Sequence, residues 1–164
     1  MRGGAEIRTN HKIFAAVSAG IAVLDQLTKL VITRSLYPYE AVEVVPGFFN
    51  IVHYLNKGAA FGILNQGGAL GKLFLIGVSL AALVLLAVLA RQSSDRLSVL
   101  AFSLIAGGAL GNLVDRIRFG SVVDFLDFHI ATWHWPAFNV ADSAITVGVG
   151  IAIFSYFFSK DPHE

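Results

Sequence analysis

Four membrane-spanning helices packed as one bundle, an all-α integral membrane fold, are what this sequence predicts. Three observations carry that prediction. Hydrophobic residues make up 55 % of the 164 and charged residues 14 %, where a soluble domain holds about 25 % charged. A soluble fold of this size could not cover itself with so few polar groups, so lipid supplies the missing solvent. Four stretches are each long and apolar enough to cross a bilayer core roughly 30 Å thick, which takes about 20 residues. The few charged and amide side chains inside those stretches gather at one membrane face.

The spans are predicted at 13–33, 70–90, 97–117 and 138–158, in a single domain. Arg2, Arg8 and Lys12 precede the first apolar run, as in a secretory leader. No small-residue cleavage site follows, and the run continues through Asp25-Gln26-Leu27-Thr28-Lys29, so a permanent first helix is expected. A short loop with Arg91 and Arg96 joins spans two and three into an antiparallel hairpin. The longer segments 34–69 and 118–137 lie on the opposite side. The first has strand-like content over 41–55, with a Pro46-Gly47 turn signal, and predicts a small β-sheet. The second carries Phe128, Trp133, His134 and Trp135, the residue types of a headgroup interface. The basic tail places the N-terminus, and with it the C-terminus, in the cytoplasm. The remaining Lys and Arg residues divide almost evenly between the two sides, so charge adds little to this orientation.

Ionisable residues inside a span cost about 2.5–3.5 kcal/mol at a helix centre, which makes their placement informative. Asp25 and Lys29 fall late in span one. Asn112, Asp115 and Arg116 fall late in span three, Asn139 and Asp142 early in span four, and Asp124 just beyond span three. In an up-down bundle these positions share one side. Helical spacing puts Asp25 with Lys29, Asn112 with Asp115 and Arg116, and Asn139 with Asp142 on common faces. Asp142 would lie about 6 Å inside its helix. Gly107 and Gly111 form a small-xxx-small pattern that admits a close neighbouring backbone.

Asp124 and Asp142 carry two readings. As a pair in one wet pocket they could share a proton, the ionised member activating water and the protonated one polarising a carbonyl. Alternatively each caps a helix end, where Asp is common. Asp115 and Arg116 divide between a charge-satisfying ion pair and a substrate-ordering guanidinium. Asp25 with Lys29 divides between structural support and chemistry. Asn56, Gly58 and Phe61 fit turn chemistry as well as a site, and Asn112 and Asn139 could simply crosslink helices. His11, His53, His129, His134 and His163 have no ligand spacing and no H-E-x-x-H, so no metal and no cofactor is expected. Serines lack a G-x-S-x-G or a histidine partner. The absence of cysteine removes thiol nucleophiles and disulfides. With net charge +1 and no basic run, nucleic acid is not an expected partner. One rival class is a coupled transporter with Asp25 or Asp142 as its coupling site, which would place polar residues near mid-membrane and show inverted symmetry. A second is a structural subunit packing by glycine-rich faces, which leaves the carboxylates flanking 118–137 without a role.

Five blocks together resemble the lipoprotein signal peptidases, the type II signal peptidases of bacteria. They are Asp25-Gln26-x-Thr28-Lys29, Asn56-x-Gly58-Ala59-Ala60-Phe61, Gly107-Gly108-Ala109-x-Gly111-Asn112-x-x-Asp115-Arg116, Val122-Val123-Asp124-Phe125 and Phe138-Asn139-Val140-Ala141-Asp142-Ser143. The resemblance spans residues 25 to 143 in the family's order. It implies an aspartic endopeptidase with Asp124 and Asp142 as the catalytic dyad, cutting prolipoproteins before a diacylglyceryl-modified cysteine. It places the site near the extracytoplasmic face of the bacterial cytoplasmic (inner) membrane, beneath a small sheet resting on the bilayer and a covering loop. Asn56, Gly58, Phe61, Asn112, Arg116, Asn139 and Ala141 would shape the pocket, with Asp25, Lys29 and Asp115 supporting it. Membrane lipid and lipidated substrates are the implied partners of a chain expected to act as a monomer.

Overall fold

The computed structural model describes residues 2–58 and 69–158, with side chains from residue 9 onward. Its elements are α1 (Arg2–Ser35), β1 (Ala41–Val45), β2 (Phe49–Asn56), α2 (Ala69–Gln92), α3 (Arg96–Phe119), β3 (Val122–Ile130), β4 (Trp133–His134) and α4 (Val140–Phe158). All four helices are long and apolar enough to cross a membrane. The fourth begins at Val140 rather than at 138, because the backbone of Phe138 is still paired with a strand.

α3 is the centre of the bundle and packs against α1, α2 and α4. Its inward face is made of small or amide residues, among them Ala101, Ser103, Gly107, Gly108, Gly111 and Asn112. A side chain at Gly107 would place its Cβ 2.7 Å from the Ile21 Cβ and 2.8 Å from the Ser18 carbonyl oxygen. The glycine is therefore what lets α1 approach, as the small-xxx-small pattern anticipates. α1 answers with a stripe of Ser18, Ala22, Asp25 and Lys29, all buried and spaced to lie on one helical face. Where α3 begins, Asp95 accepts bonds from the backbone N–H groups of Leu97 (3.2 Å) and Ser98 (2.8 Å). The Ser155 hydroxyl of α4 donates to the same carboxylate at 2.6 Å, so one N-cap ties two helices together.

The sheet is antiparallel, in the order β1-β2-β3-β4. β1 and β2 form the hairpin expected around Pro46-Gly47, with Gly47 at φ +70° and the Phe48 N–H bonded to the Val45 carbonyl. β3 and β4 lie within 118–137, read above as a headgroup-interface segment, so half of the sheet comes from a region with no predicted strand. The alternation that marks a half-exposed strand is missing there: Val122, Val123, Asp124 and Phe125 are all buried. With both faces covered, the stretch does not show the period-2 pattern. Phe48, Phe49 and Phe138 surround Phe128 with ring centroids 4.7–5.9 Å apart, which fastens the sheet to the segment entering α4.

Candidate active site

Two local devices bring the acidic residues together. α3 ends at Gly120, which adopts the left-handed conformation (φ +76°) and donates its N–H to the Arg116 carbonyl. The chain then turns directly into β3. Further on, Phe138 and Leu126 exchange backbone hydrogen bonds at 2.9 and 3.1 Å. Asn139, the next residue, is thereby set beside Asp124 immediately before α4 begins.

Asp124 is buried near the start of β3, opposite Tyr54 of β2. One carboxylate oxygen accepts the Asn139 Nδ2 at 2.7 Å and the other the Asn56 Nδ2 at 2.9 Å. Asp142, half-buried in the first turn of α4, accepts the Asn112 Nδ2 on Oδ1 at 2.8 Å. Asn139 Nδ2 in turn donates to Asn112 Oδ1 at 3.4 Å. Neither aspartate caps a helix. The α4 N-terminus is capped instead by Asn139 Oδ1, which takes the Asp142 N–H, and by Asp25 Oδ1, which takes the Ala141 N–H, both at 2.9 Å. Burial pushes the Asp124 carboxyl up to about 6, and the charge of Asp142 adds to the rise against the amide donors. The Asp124 carboxyl therefore takes up a proton more readily than a free aspartate.

Beneath the pair lies a fully internal ion cluster. Lys29 Nζ reaches Asp25 at 2.8 Å, Asp115 at 2.9 Å and the Asn112 Oδ1 at 3.0 Å. The i, i+4 pairing of Asp25 with Lys29 is the one the spacing suggests. Asp115 does pair between helices, but with Lys29; the partnership weighed for it with Arg116 does not form. Its carboxylate also accepts Gln26 Nε2 at 2.8 Å and the Val123 N–H at 3.1 Å, so it binds α3 to both α1 and β3. Arg116 is half-buried and makes no ion pair within 4 Å among the described residues. It lies within electrostatic reach of Asp142, Asp115 and Asp124, a cation close to the two carboxylates.

The other residues singled out from the sequence divide. Gly58 stands at φ +82° and donates its N–H to Asn56 Oδ1 at 2.8 Å, which turns the Asn56 amide nitrogen toward Asp124. Ala141 contributes through its backbone and is wholly buried. Phe61 and the rest of 59–68, where a covering loop was expected, lie outside the described residues. Sequence reasoning passed over Gln26 as a cluster member, though it stands inside a quoted motif. It also missed an apolar groove of about 560 Å³ whose lining includes Trp135, Phe138, Asp142, Thr146 and Val147. Asp127 makes no contact with Asp124 or Asp142 among the described residues. Burial opposes its ionisation, but bonds from His134 and Asn50 outweigh that and hold the carboxyl below the usual range.

The signal peptidase (SPase) II family model matches residues 17–158. The chain belongs to the signal peptidase II family. Membership makes it a membrane-embedded protease of lipoprotein processing, with spanning helices that fit this setting. Two relatives named lipoprotein signal peptidase show how close the likeness is. That of Geobacter metallireducens is 47 % identical over 147 residues, covering 88 % of this chain and 90 % of the relative. That of Syntrophotalea carbinolica is 48 % identical over 154 residues, covering 93 % and 96 %. Two solved structures, each described as a bacterial membrane enzyme determined in meso, superpose with TM-scores of 0.79 and 0.78 at 32 % identity. They cover 90 % and 92 % of this chain, and 94 % and 93 % of their own.

Proposed function

We propose that this chain is an aspartic endopeptidase that removes signal peptides from diacylglyceryl-modified prolipoproteins. The cut falls on the N-terminal side of the lipidated cysteine. The observation that carries the reading is the junction of Asp124 and Asp142 through Asn112 and Asn139, from a strand and a helix that only the fold brings together. The ionised member removes a proton from a water molecule, whose oxygen attacks the scissile carbonyl carbon. The protonated member donates to the carbonyl oxygen as the tetrahedral intermediate forms. Collapse then breaks the C–N bond, and the proton taken from water passes to the leaving cysteine nitrogen. A hydroxyl proton of the intermediate returns to the aspartate that had donated, leaving the carboxylic acid product and the pair restored. Each assisted proton transfer contributes about 10²–10⁴ in rate. Arg116 provides positive charge beside the pair for substrate carbonyls.

The apolar groove supports a lipid-bearing substrate. It offers apolar side chains to acyl or signal-peptide surface in the same lining as the Asp142 carboxylate, a combination suited to cleavage at the bilayer boundary. With both termini cytoplasmic, the dyad faces the extracytoplasmic side of the inner membrane.

The test is cleavage of a diacylglyceryl-modified lipobox peptide in lipid by wild type, Asp124→Asn and Asp142→Asn. Both variants are expected to lose at least about 10³ in kcat while remaining folded. Near-full turnover in either folded variant would overturn the dyad. Failure of a folded wild type on correctly lipidated peptide would overturn the peptidase reading and favour a transporter, which vesicle flux would reveal. EDTA is expected to leave the wild-type rate unchanged; inhibition reversed by added metal would count against this chemistry.

A further inference from the structure

The Lys29 ammonium does more than neutralise two carboxylates. It is bonded to Asn112 Oδ1 at 3.0 Å, and an ammonium has donors but no acceptor. The amide atom facing it must therefore be oxygen. That settles the amide orientation on chemical grounds and directs the Asn112 NH₂ toward Asp142, 2.8 Å from Oδ1. An NH₂ group cannot accept a proton, so Asp142 Oδ1 is committed as an acceptor. Asp142 Oδ2 has no hydrogen-bond partner among the described residues and is the oxygen left to exchange protons. Lys29 is in turn held from two sides, by Asp25 of its own helix and Asp115 of α3, at 2.8 and 2.9 Å. Asp25 also receives the Ala141 N–H, which keeps α4 and Asp142 in register with the same cluster.

We propose that Lys29 is a positioning residue that acts through Asn112 to set which oxygen of Asp142 takes part in proton transfer. This inference rests on the dyad reading above. Without the cation, the Asn112 oxygen keeps only the long 3.4 Å bond from Asn139 Nδ2, and the amide can rotate by 180° to present its oxygen to Asp142. The carboxyl would then be favoured in a form protonated on Oδ1, away from the reacting water. The effect falls on turnover rather than on substrate binding, because neither Lys29 nor Asn112 lines the apolar groove. A purely structural Lys29 would instead lower the folded fraction and leave the turnover of folded molecules intact.

A double-mutant cycle with the full chain in lipid, on the lipidated lipobox peptide, tests this. Lys29→Met, Asn112→Ala and the double variant are compared by kcat and KM per folded molecule. Loss of one charge-assisted hydrogen bond predicts a roughly ten- to hundredfold fall in kcat for each single variant, with KM within about twofold. The double variant is expected to be no worse than the poorer single, since both break one chain of contacts. Lys29→Gln, whose amide can still donate to Asn112 Oδ1, is expected to recover most of the turnover lost in Lys29→Met. Multiplicative losses in the double variant would overturn the relay, as would equal turnover of folded Gln and Met variants. If neither Lys29 variant folds, Asn112→Ala decides: full turnover in that variant overturns the proposal, and a fall in kcat at constant KM sustains it. Absence of cleavage by wild type would point instead to failure of the peptidase reading.

Discussion

α2 and α3 are adjacent helices of 24 residues each, yet they have opposite characters. In its most apolar window α2 is 11 % buried within the protein, while α3 is 50 % buried. α2 turns Leu70, Leu73, Phe74, Val84 and Leu85 outward and gives the site little beyond a Lys72 bond to the Ile117 carbonyl. α3 carries Asn112, Asp115, Arg116 and three of the close-packing glycines. In water the more apolar helix would be the inner one. In lipid the solvent is as apolar as leucine, so burying leucine gains little, and close packing and polar contacts decide which helix lies inside.

Substitutions sharpen that contrast, the largest effect first. Asp115→Leu on α3 leaves Lys29 with a single carboxylate and strips Gln26 and the Val123 N–H of their acceptor. Breaking one partner from a buried ion pair costs about 3–5 kcal/mol, measured by reversible unfolding in mixed micelles. Val84→Leu on the outer face of α2 is expected to change stability by no more than about 0.5 kcal/mol. A comparable loss at both positions would break the contrast.

Glycines give the second comparison. A Cβ at Gly108 would collide with the Ala141 carbonyl oxygen and come within 2.8 Å of Ile145, whereas one at Gly77 of α2 meets nothing within 4 Å. Gly108→Ala is expected to cost about 1–3 kcal/mol as overpacking and to displace the start of α4, with a matching fall in cleavage. Gly77→Ala is expected to be neutral or slightly stabilising. Thermal unfolding of both variants in one detergent tests the difference.

The smallest effect is expected where α3 begins. The Ser155 hydroxyl, then the Ser98 contacts, hold the Asp95 carboxyl at about 2 against a starting value of 3.8. A depressed carboxyl stabilises the fold above its unfolded value and loses that contribution as pH falls through the folded one. The cap is therefore whole above about pH 4 and lost toward pH 2. After screening of this partly exposed group it contributes about 1 kcal/mol. Asp95→Ala should flatten that part of the stability-versus-pH curve; an unchanged curve would show that the cap contributes nothing.

Several elements were legible in advance because their signals are local. A run of about 20 apolar residues declares a span wherever it occurs. Pro46-Gly47 declares a turn, and Asp25 and Lys29 declare a shared helical face. β3 was not legible, since Val122, Val123 and Phe125 are covered on both faces and give neither strand alternation nor a run long enough for a span. The apolar groove was equally hidden, because Trp135, Phe138 and Val147 meet only after α4 folds back beside the sheet. Gln26 could have been found from its place between Asp25 and Lys29, though its bond to Asp115 crosses 89 positions.

By itself the sequence determined how many times the chain can cross a bilayer, which face collects the polar residues, and that Asp124 and Asp142 lie near that face. Hydropathy and helical period are set within a few turns, so they survive without tertiary knowledge. Only the tertiary structure decided the partners: Asp115 with Lys29 rather than Arg116, Asn139 with Asp124, Asn112 with Asp142. Each of these choices is made between elements that meet through packing. In a low-dielectric interior a buried charge or amide takes the partner that geometry presents, and adjacency in the chain does not supply that geometry.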